Sequence, residues 1–396
     1  MKILILGCGN VGAEAATQLK ARHGDAVELV IGDRNLEAAQ ALAQKLGSKT
    51  RAVQVDVTDA AGLASALGGI NLVFNFVGPF YLSALSVIEA AIRARVDYMD
   101  INDDHDVALQ LVSDPSYHRR ALEAGIRIVI GCGTTPGLTN ALARWGTDRL
   151  DTVQAIRMCW VCSFVPHVFS PAVWDHVFHM FDREVTQYLD GRYQKVPAYS
   201  GERVVSFLPP FGTYPVSFSG HGEAATIPHF IQGLEEASIR SFFFPQAGED
   251  QMRRLVQMGF GSREPVPGLG VSPLKFLTHY AATPQGKESL YVPPPPGGIE
   301  GSANQVEVEG QRDGHHVRLT LETHSVQIGQ DPTSFCARVA MEAWLRGELK
   351  GRGLLAVEAA LEAEPYIRTV VREAGMTLHE REEIVRRDCF RGNLGS

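Results

Sequence analysis

The 396-residue sequence predicts an α/β fold in which a doubly wound parallel sheet is followed by a second, less regular domain. Up to residue 130, short apolar runs typical of buried strands alternate with amphipathic stretches typical of helices. Strict alternation of this kind favours a parallel sheet covered by helices on both faces. The predicted strands are Ile3–Leu6, Val27–Ile31, Val53–Val57, Leu72–Phe76, Tyr98–Ile101 and Ile126–Ile130.

The composition changes after Pro136, where the strict alternation of strand and helix is lost. Aromatic residues, prolines and histidines become frequent between Trp160 and Tyr280, which indicates a second domain. Within residues 306–321, apolar and polar residues alternate on both sides of Asp313 and a glycine, the pattern of a β-hairpin.

Two further helices are predicted near the C-terminus. Asp331 can cap a helix that begins at Pro332, and Cys336, Val339 and Ala340 fall on one face of it. The apolar pair at residues 384–385, surrounded by charges, predicts a solvated terminal helix.

The overall charge argues against two classes of partner. Lys and Arg number 37 against 45 Asp and Glu, so the net charge of −8 gives no general attraction to nucleic acid or to anionic lipid. Met1 and Lys2 run directly into the first strand, and we find no apolar run of about 18 residues. The six cysteines are dispersed, as in reduced proteins. We therefore expect a cytoplasmic protein without a membrane segment.

Three glycines follow the first predicted strand and open the first helix. Gly7, Gly9 and Gly12 form the pattern G-x-G-x-x-G, which is informative in this position between strand and helix. The first permits a tight turn, the second lets a pyrophosphate approach the backbone, and the third lets helix and strand pack closely. The N–H groups of the helix N-terminus then face the phosphates. The pattern predicts a dinucleotide-binding βαβ unit and an NAD(P)-dependent oxidoreductase.

Asp33 ends the second strand, where a carboxylate can accept hydrogen bonds from the adenine ribose. This position slightly favours NAD, but Arg34 could hold the 2′-phosphate of NADP. Asp56 either contacts adenine or caps the following turn. The predicted cofactor-binding residues are Gly7, Gly9, Asn10, Val11, Gly12, Asp33, Arg34, Asp56, Val57, Val77, Gly78 and Pro79.

Substrate should lie at the carboxyl ends of the strands, so the loops there are candidates for the chemistry. The loop after the fourth strand, residues 77–81, carries a Gly-Pro turn and ends at Tyr81. The loop after the fifth strand, residues 100–106, holds four aspartates and His105, more acid than a strand end usually tolerates without a cation, proton transfer or solvent. Asp100, next to the strand, is the stronger functional candidate in this loop.

The remaining polar residues leave alternatives open. Cys132 follows the sixth predicted strand, where it could either pack in the core or act as a nucleophile. Packing is favoured because no neighbouring residue in the sequence would lower the pKa of its thiol. The pair Cys159-x-x-Cys162 lacks the other ligands of a zinc site, so we expect no metal. In the second domain Arg240 could hold a substrate carboxylate, and His221 and Glu223 are polar groups in apolar surroundings. Three more histidines could serve acid–base chemistry, although the last two are typical of packing in an aromatic-rich helix: His167, His176 and His179.

Taken together, these segments resemble the saccharopine dehydrogenase and lysine 6-dehydrogenase family, which also includes the carboxynorspermidine dehydrogenases. The resemblance spans nearly the whole chain. It rests on Gly7-Cys8-Gly9-Asn10-Val11-Gly12, Ile31-Gly32-Asp33-Arg34-Asn35, Val77-Gly78-Pro79-Phe80, Asp97-Tyr98-Met99-Asp100 and, most diagnostically, Gly133-Thr134-Thr135-Pro136-Gly137-Leu138-Thr139-Asn140.

The resemblance implies a Rossmann domain, an inserted α+β substrate domain, C-terminal helices that return to the Rossmann domain, and a homodimer. The corresponding ranges are 1–134 for nucleotide binding, 135–328 for substrate binding and dimerisation, and 329–396 for the C-terminal helical segment. It also implies hydride exchange at a C–N bond of an amino acid, a polyamine or a secondary-amine conjugate. The predicted catalytic residues are Asp100, Tyr81 and Asp103, and the predicted substrate-binding residues are Asn102, Glu223, Arg240 and His221.

Both directions of reaction remain open at this point, lysine-type oxidative deamination and saccharopine-type reduction. Two other functions are alternatives. A non-catalytic nucleotide sensor or scaffold would not need the acid-rich loop. A reductase of C=C or C=O bonds would use Tyr81 and the aromatic-rich second domain.

Overall fold

The structure is a computed structural model that describes residues 1–164, 170–293, 298–326 and 332–385. Its strands are β1 (Lys2–Leu6), β2 (Glu28–Asp33), β3 (Thr50–Gln54), β4 (Leu72–Asn75), β5 (Asp97–Asp100), β6 (Arg127–Ile130), β7 (Thr152–Ser163), β8 (Glu184–Leu189), β9 (Arg192–Pro197), β10 (Arg203–Phe207), β11 (Gly212–Phe218), β12 (Glu236–Phe244), β13 (Ser302–Arg312), β14 (His315–Ser325), β15 (Gly353–Ala356) and β16 (Thr377–Ile384).

The helices, again in chain order, are α1 (Asn10–His23), α2 (Leu36–Leu46), α3 (Ala60–Ala66), α4 (Phe80–Ala94), α5 (His105–Ser113), α6 (Pro115–Ala124), α7 (Leu138–Thr147), α8 (Pro171–His179), α9 (Glu223–Phe230), α10 (Gln246–Gln257), α11 (Pro273–Ala281), α12 (Pro284–Leu290), α13 (Pro332–Leu345), α14 (Val357–Ala360) and α15 (Ala363–Glu373).

The first sheet has seven strands in the order β15-β6-β5-β4-β1-β2-β3, and every neighbouring pair is parallel. This confirms the predicted doubly wound α/β fold. Residues 3–6 of β1 are completely buried, as expected for a central strand covered on both faces. The third strand was predicted at residues 53–57, which is three residues too late. Since β3 is an edge strand, its polar, partly exposed residues resemble a loop in the sequence.

The second sheet is mixed and has nine strands, with β10-β11-β12-β7-β13-β14-β16 in sequence across it and the β8–β9 pair attached to β12. The predicted hairpin is confirmed, because β13 and β14 pair in antiparallel register and turn at Asp313 and Gly314. Both turn residues have positive φ, 53° and 75°, the conformation that Asp-Gly turns favour.

The C-terminal segment contributes one strand to each sheet. β15 pairs in parallel with β6, and β16 pairs antiparallel with β14. The helix from Pro332 is confirmed, whereas its predicted cap at Asp331 lies outside the described residues. The predicted terminal helix at residues 384–385 is wrong. Residues 377–384 form a strand, in which Glu380 pairs with Arg149 and Glu382 pairs with Arg312. The charges therefore belong to an exposed edge strand.

One continuous apolar core joins the two sheets. It includes Ile5 of β1, Leu142 of α7, Met158 of β7 and Val306 of β13, all completely buried. Helix α1 packs against α13, so the chain returns to the first sheet after β14 and adds β16 to the second sheet last. Within the described residues, no helix combines the length and the apolar character that crossing a membrane requires.

Candidate active site

The glycine turn between β1 and α1 has the geometry that a dinucleotide needs. Gly7 has φ +93° and donates its N–H to the Gly32 oxygen at 2.7 Å. A Cβ at Gly12 would lie 2.2 Å from the Gly7 oxygen, so helix and strand approach too closely for any side chain. A Cβ at Gly9 would meet no protein atom within 4 Å, which leaves open space beside the backbone. The first turn of α1 carries no acidic residue. These features fit a pyrophosphate held by the helix N-terminus.

Asp33 connects the glycine turn to the end of β2. One carboxylate oxygen accepts the Cys8 N–H at 2.9 Å and the other accepts the Asn35 N–H at 2.9 Å. Burial and the neighbouring Asp33 carboxylate raise the pKa of the Cys8 thiol to about 12, so Cys8 remains a thiol. The Arg34 side chain is exposed. Asp33 is thus fixed beside the glycine turn, where an adenosine ribose would lie.

The other predicted cofactor residues fall into two groups. Asp56 lies beyond the end of β3 and its carboxylate accepts the N–H and hydroxyl of Thr58, at 2.9 Å and 2.7 Å, which is the capping alternative. The hydroxyl hydrogen bond lowers the pKa of Asp56. The second group borders the glycine turn, since a Cβ at Gly7 would lie 3.0 Å from Val77. The loop of residues 77–79 therefore lies next to the glycine turn, at the carboxyl end of the first sheet.

Asp100, predicted as a catalytic residue, is completely buried at the end of β5. Its carboxylate accepts hydrogen bonds from the Tyr98 hydroxyl at 2.7 Å, the Asn102 N–H at 3.0 Å and the Gly131 N–H at 2.8 Å. Burial raises the pKa of Asp100 to about 6 although these hydrogen bonds lower it. The contacts fix the loops after β5 and β6 to each other. Asp100 and the buried Asn102 therefore hold the loop that carries Asp103 in position.

His176 of α8 lies between two aspartates of the loop after β5. Its Nδ1 is 2.9 Å from an Asp104 oxygen, and its Nε2 is 3.3 Å from an Asp103 oxygen. The second Asp104 oxygen accepts the Tyr81 N–H at 2.8 Å. Burial opposes a charge on His176, but the two carboxylates outweigh it and raise the pKa of His176 to about 9. Burial acts on Asp104 too, yet the hydrogen bond from His176 lowers its pKa.

A second histidine–carboxylate pair comes from the segment that opens α9. Nδ1 of His221 lies 2.8 Å from one oxygen of the completely buried Glu223. The other Glu223 oxygen accepts hydroxyl hydrogen bonds from Thr135 at 2.5 Å and Thr139 at 2.9 Å. Burial would raise the pKa of Glu223, but the His221 ring and the hydrogen bond from Thr135 lower it. The threonines belong to the segment at residues 133–140 that carries the family resemblance.

The two histidine pairs meet at Asp103. The rings of His176 and His221 are 5.5 Å apart and edge to face, and one ligand-type atom from each of Asp103, His176 and His221 lies within 4.8 Å of the others. We call these three residues the cleft cluster. Trp160 of β7 packs 6.0 Å from the His221 ring and forms the wall behind it. Three distant segments of the chain thus converge at the carboxyl end of the first sheet.

The sequence assigned two members of this cluster and missed the third. Asp103 and His221 are predicted site residues, whereas His176 was expected to pack. A signal was present in the acid-rich loop, because buried aspartates at a strand end require a cationic partner. His179, on the same helix, places Nε2 3.1 Å from Asp106. His167 lies outside the described residues.

Tyr81 lies beside the cleft cluster with its hydroxyl already bonded. It donates to Asp175 at 2.5 Å and accepts from Nε of Arg263 at 2.8 Å, while its ring stacks on His179 at 4.4 Å. Burial and the Asp175 carboxylate raise the pKa of Tyr81 well above its usual range. Sequence reasoning missed Asp175 and Arg263, whose segments show no motif.

Arg240, predicted to bind substrate, does not reach this site. Its Nε donates to the Gly201 oxygen at 2.8 Å, and its guanidinium lies 4.1 Å over the Phe218 ring. Side chains alternate along β12, so Arg240 projects from the face of the second sheet opposite to Ile239 and Phe243, which join the central core. The assignment of Arg240 to substrate binding is therefore corrected.

The cysteines considered above are thiols in packed surroundings. Cys132 is completely buried, and burial raises its pKa well above the ordinary value, which agrees with packing. Burial also raises the pKa of Cys159 to about 11 and that of Cys162 to about 12. Cys159 pairs in register with Arg240 of β12 and lies in the apolar cluster on the other face of the second sheet, with Phe242 and Phe244.

Comparison with known proteins supports the nucleotide site and the fold. Residues 3–129 match the family described as saccharopine dehydrogenase NADP binding domain. A carboxyaminopropylagmatine dehydrogenase from Synechocystis sp. is 24% identical in an alignment that covers 96% of this chain and 97% of the relative. A carboxynorspermidine synthase from Vibrio alginolyticus is 23% identical over 58% of this chain and 60% of its own.

A solved structure is similar over almost the whole chain. Apo saccharopine dehydrogenase (L-Glu forming) from Saccharomyces cerevisiae superposes with a TM-score of 0.66 at 18% identity, covering 96% of this chain and 99% of that one. The resemblance inferred from the sequence is thus confirmed. The chain is a saccharopine dehydrogenase-like oxidoreductase with a domain that binds a nicotinamide dinucleotide.

Proposed function

We propose that this oxidoreductase transfers hydride between its nicotinamide cofactor and a carbon bonded to nitrogen, in an amino acid, a polyamine or a secondary-amine conjugate. One observation carries the proposal: the glycine turn and the cleft cluster lie at the carboxyl end of the same parallel sheet, after β1 and β5. Relatives whose names specify carboxyaminopropylagmatine and saccharopine dehydrogenation support this substrate class.

The glycine turn would hold the dinucleotide, which accepts or donates the hydride when it is bound. The N–H groups at the start of α1 and the open space beside Gly9 receive the pyrophosphate. The Asp33 carboxylate accepts hydrogen bonds from the hydroxyl groups of the adenosine ribose. Residues 77–79 would lie beside the nicotinamide half of the cofactor. We propose a preference for NAD, because the Asp33 carboxylate repels a 2′-phosphate. The exposed Arg34 is the group that would favour NADP.

The cleft cluster would manage the proton of the amine. Hydride leaves a carbon only as the nitrogen lone pair forms the C=N bond, so the amine must first lose its proton. The partly exposed Asp103 attracts the protonated amine, and Nε2 of His221 receives its proton while Glu223 holds Nδ1. The imine is then hydrolysed by water. In the reductive direction, the same groups return the proton.

The remaining predicted residues would position these groups. Asp100 ties the loop that carries Asp103 to the loop after β6, and Asn102 accepts the Asp104 N–H at 3.3 Å. Tyr81 and Arg263 are hydrogen-bonded to each other beside α8, and Trp160 packs against the His221 ring. The predicted domain boundaries place the glycine turn in residues 1–134 and His176 and His221 in residues 135–328.

A substrate panel tests this function. The protein is incubated with NAD or NADP and amino acids, diamines and polyamines, and then with reduced cofactor and pairs of a keto acid or aldehyde with an amine. Nicotinamide absorbance reports turnover, and we expect it for amine oxidation or for the paired reduction. Cofactor binding without turnover across the panel would instead support the sensor. Reduction of carbonyl or enoyl compounds without an amine would support the other reductase alternative.

We also propose that the protein is cytoplasmic, as its dispersed cysteines suggest, and that it is a homodimer, as the family resemblance implies. The chain has a mass of 43.2 kDa, so light scattering should report about twice that value. A monomer across the micromolar range would contradict the dimer.

A further inference from the structure

The two histidines of the cleft cluster share an arrangement that points beyond proton transfer. Nδ1 of His221 is held by Glu223 at 2.8 Å, and Nδ1 of His176 is held by Asp104 at 2.9 Å. Both carboxylates are completely buried. A histidine whose Nδ1 is bonded to a buried carboxylate presents Nε2 in a fixed direction, which is the arrangement around metal-binding histidines.

We propose that the cleft cluster binds a divalent transition-metal ion of the Zn²⁺ class through Nε2 of His176, Nε2 of His221 and a carboxylate oxygen of Asp103. Two imidazoles and one carboxylate are a ligand set that Zn²⁺ accepts, with water as the fourth ligand. Glu223 and Asp104 act as positioning residues that orient the two rings. The proposal goes beyond the proposed function, since it requires neither cofactor nor substrate. With the ion bound, Nε2 of His221 is a metal ligand and no longer a proton acceptor, so the proton-transfer role proposed above belongs to the metal-free protein.

The distances in the cluster agree with such a site. Ligand bonds of about 2.1 Å at tetrahedral angles separate neighbouring ligand atoms by about 3.4 Å. Nε2 of His176 already lies 3.3 Å from the Asp103 oxygen, and one ring nitrogen of each histidine and one Asp103 oxygen fall within 4.8 Å of one another. Small rotations of the partly exposed Asp103 side chain and the His221 ring would complete the set.

The charges around the cluster also favour a cation. Asp103, Asp104 and Glu223 place three carboxylates around two imidazole rings, and Asp104 and Glu223 are completely buried. A dication bound to both Nε2 atoms offsets most of that negative charge. The opposing arrangement is a metal-free chain of ion pairs in which protonated histidines supply the positive charge.

Metal titration separates these two arrangements. The full chain is stripped with chelator, dialysed, and titrated with Zn²⁺ by calorimetry and with Co²⁺ by visible spectroscopy. We expect one equivalent of each ion, with Co²⁺ bands typical of nitrogen and oxygen ligands. His221→Gln and Asp103→Asn should each weaken Zn²⁺ binding by about 100-fold or more, and Glu223→Gln by about 10- to 100-fold. His179→Gln is the matched control on α8 and should bind as the native chain does.

Three results would overturn the metal site. These are the absence of saturable binding, equal affinity in Asp103→Asn and the native chain, or intense thiolate-to-Co²⁺ absorption, which would place the ion on cysteines. Because Asp103→Asn keeps shape and its side chain is 29% exposed, it is the variant that most readily keeps its fold, and circular dichroism checks this. Turnover is measured separately in the presence of chelator, so a failed titration and a failed substrate panel are distinct results.

Discussion

The glycine turn and the cleft cluster lie at the same edge of the first sheet but are built from different parts of the chain. The turn is made of backbone within residues 7–12, and a Cβ at Gly12 would reach 2.2 Å from the Gly7 oxygen. The cluster is made of side chains at positions 103, 176 and 221, each oriented by a further group. Substitutions in the turn should therefore affect cofactor binding, and folding as well where the added Cβ collides with backbone, whereas substitutions in the cluster should affect chemistry with the fold intact.

The largest expected effect is that of Gly12→Ala. The added Cβ collides with the Gly7 oxygen, so α1 must move away from β1, and we expect the free energy of unfolding to fall by about 3 kcal/mol or more, with loss of dinucleotide binding. Denaturant unfolding and cofactor titration measure both effects. Gly9→Ala is the matched control: its Cβ meets no protein atom, so stability should change by about 0.5 kcal/mol at most while cofactor binding still weakens. Equal stability of both variants would contradict the packing argument.

His221→Gln tests the cluster itself. Removal of Nε2 takes away a proton acceptor, and we expect kcat to fall by about 100-fold while the Kd of the dinucleotide stays within about twofold. Steady-state kinetics and cofactor fluorescence separate the two quantities. His279→Gln, on the exposed face of α11, serves as control and should behave as the native chain does. A parallel loss of cofactor affinity in His221→Gln would show that the two regions are not separable.

Asp33→Ala should have a smaller effect, confined to the cofactor. The variant loses the acceptor for the ribose hydroxyls, so NAD should bind about tenfold more weakly while NADP binding changes less. Fluorescence titration with each cofactor gives the ratio of affinities. Arg34→Ala is the counterpart and should weaken only NADP. Unchanged NAD affinity in Asp33→Ala would refute the ribose assignment.

Glu358 of α14 accepts a hydrogen bond from the buried Asn140 of α7 and should influence stability with little effect on turnover. Burial raises its pKa from 4.5 to about 7, so the folded protein retains a proton that the unfolded chain releases. Stability should therefore fall as pH rises from about 4.5 to 7, because the folded state binds more protons. Glu358→Gln removes this loss and should be more stable than the native chain at pH 8, on the order of 1 to 3 kcal/mol. Thermal melts at pH 5 and pH 8 measure the difference, and a constant difference would contradict it.

The sequence predicts the turn well because its signal is local. Gly7 to Gly12 and Asp33 are constrained by backbone geometry and by strand ends that a single helix and strand define. The central strands were also predictable, since burial on both faces produces continuous apolar runs. Edge strands are partly exposed and therefore lack a continuous apolar run. For this reason the predicted third strand began three residues too late, and the charged β16 was predicted as a helix.

The cleft cluster was only partly predictable because it depends on long-range packing. His176 appears in sequence as a packing residue of an aromatic helix, and only the structure shows its ring between Asp103 and Asp104. The prediction for Arg240 was wrong because one face of β12 packs on the central core and the other face packs on a separate apolar cluster. The polarity of a residue does not reveal on which of these faces its side chain lies. The proposed metal site has no spacing signature, since its ligands come from three segments.

Deuterium transfer tests most directly whether the two regions serve one reaction. The protein is incubated with nicotinamide cofactor deuterated at C4 of the reduced ring, together with an amine and the keto acid or aldehyde partner that the substrate panel identifies. Mass spectrometry and NMR then locate the label in the product. We predict one deuterium on the carbon bonded to nitrogen, with transfer about 100-fold slower in His221→Gln at the same cofactor occupancy. Deuterium on a carbon bonded only to oxygen or carbon, or no transfer with any amine pair, would contradict the account.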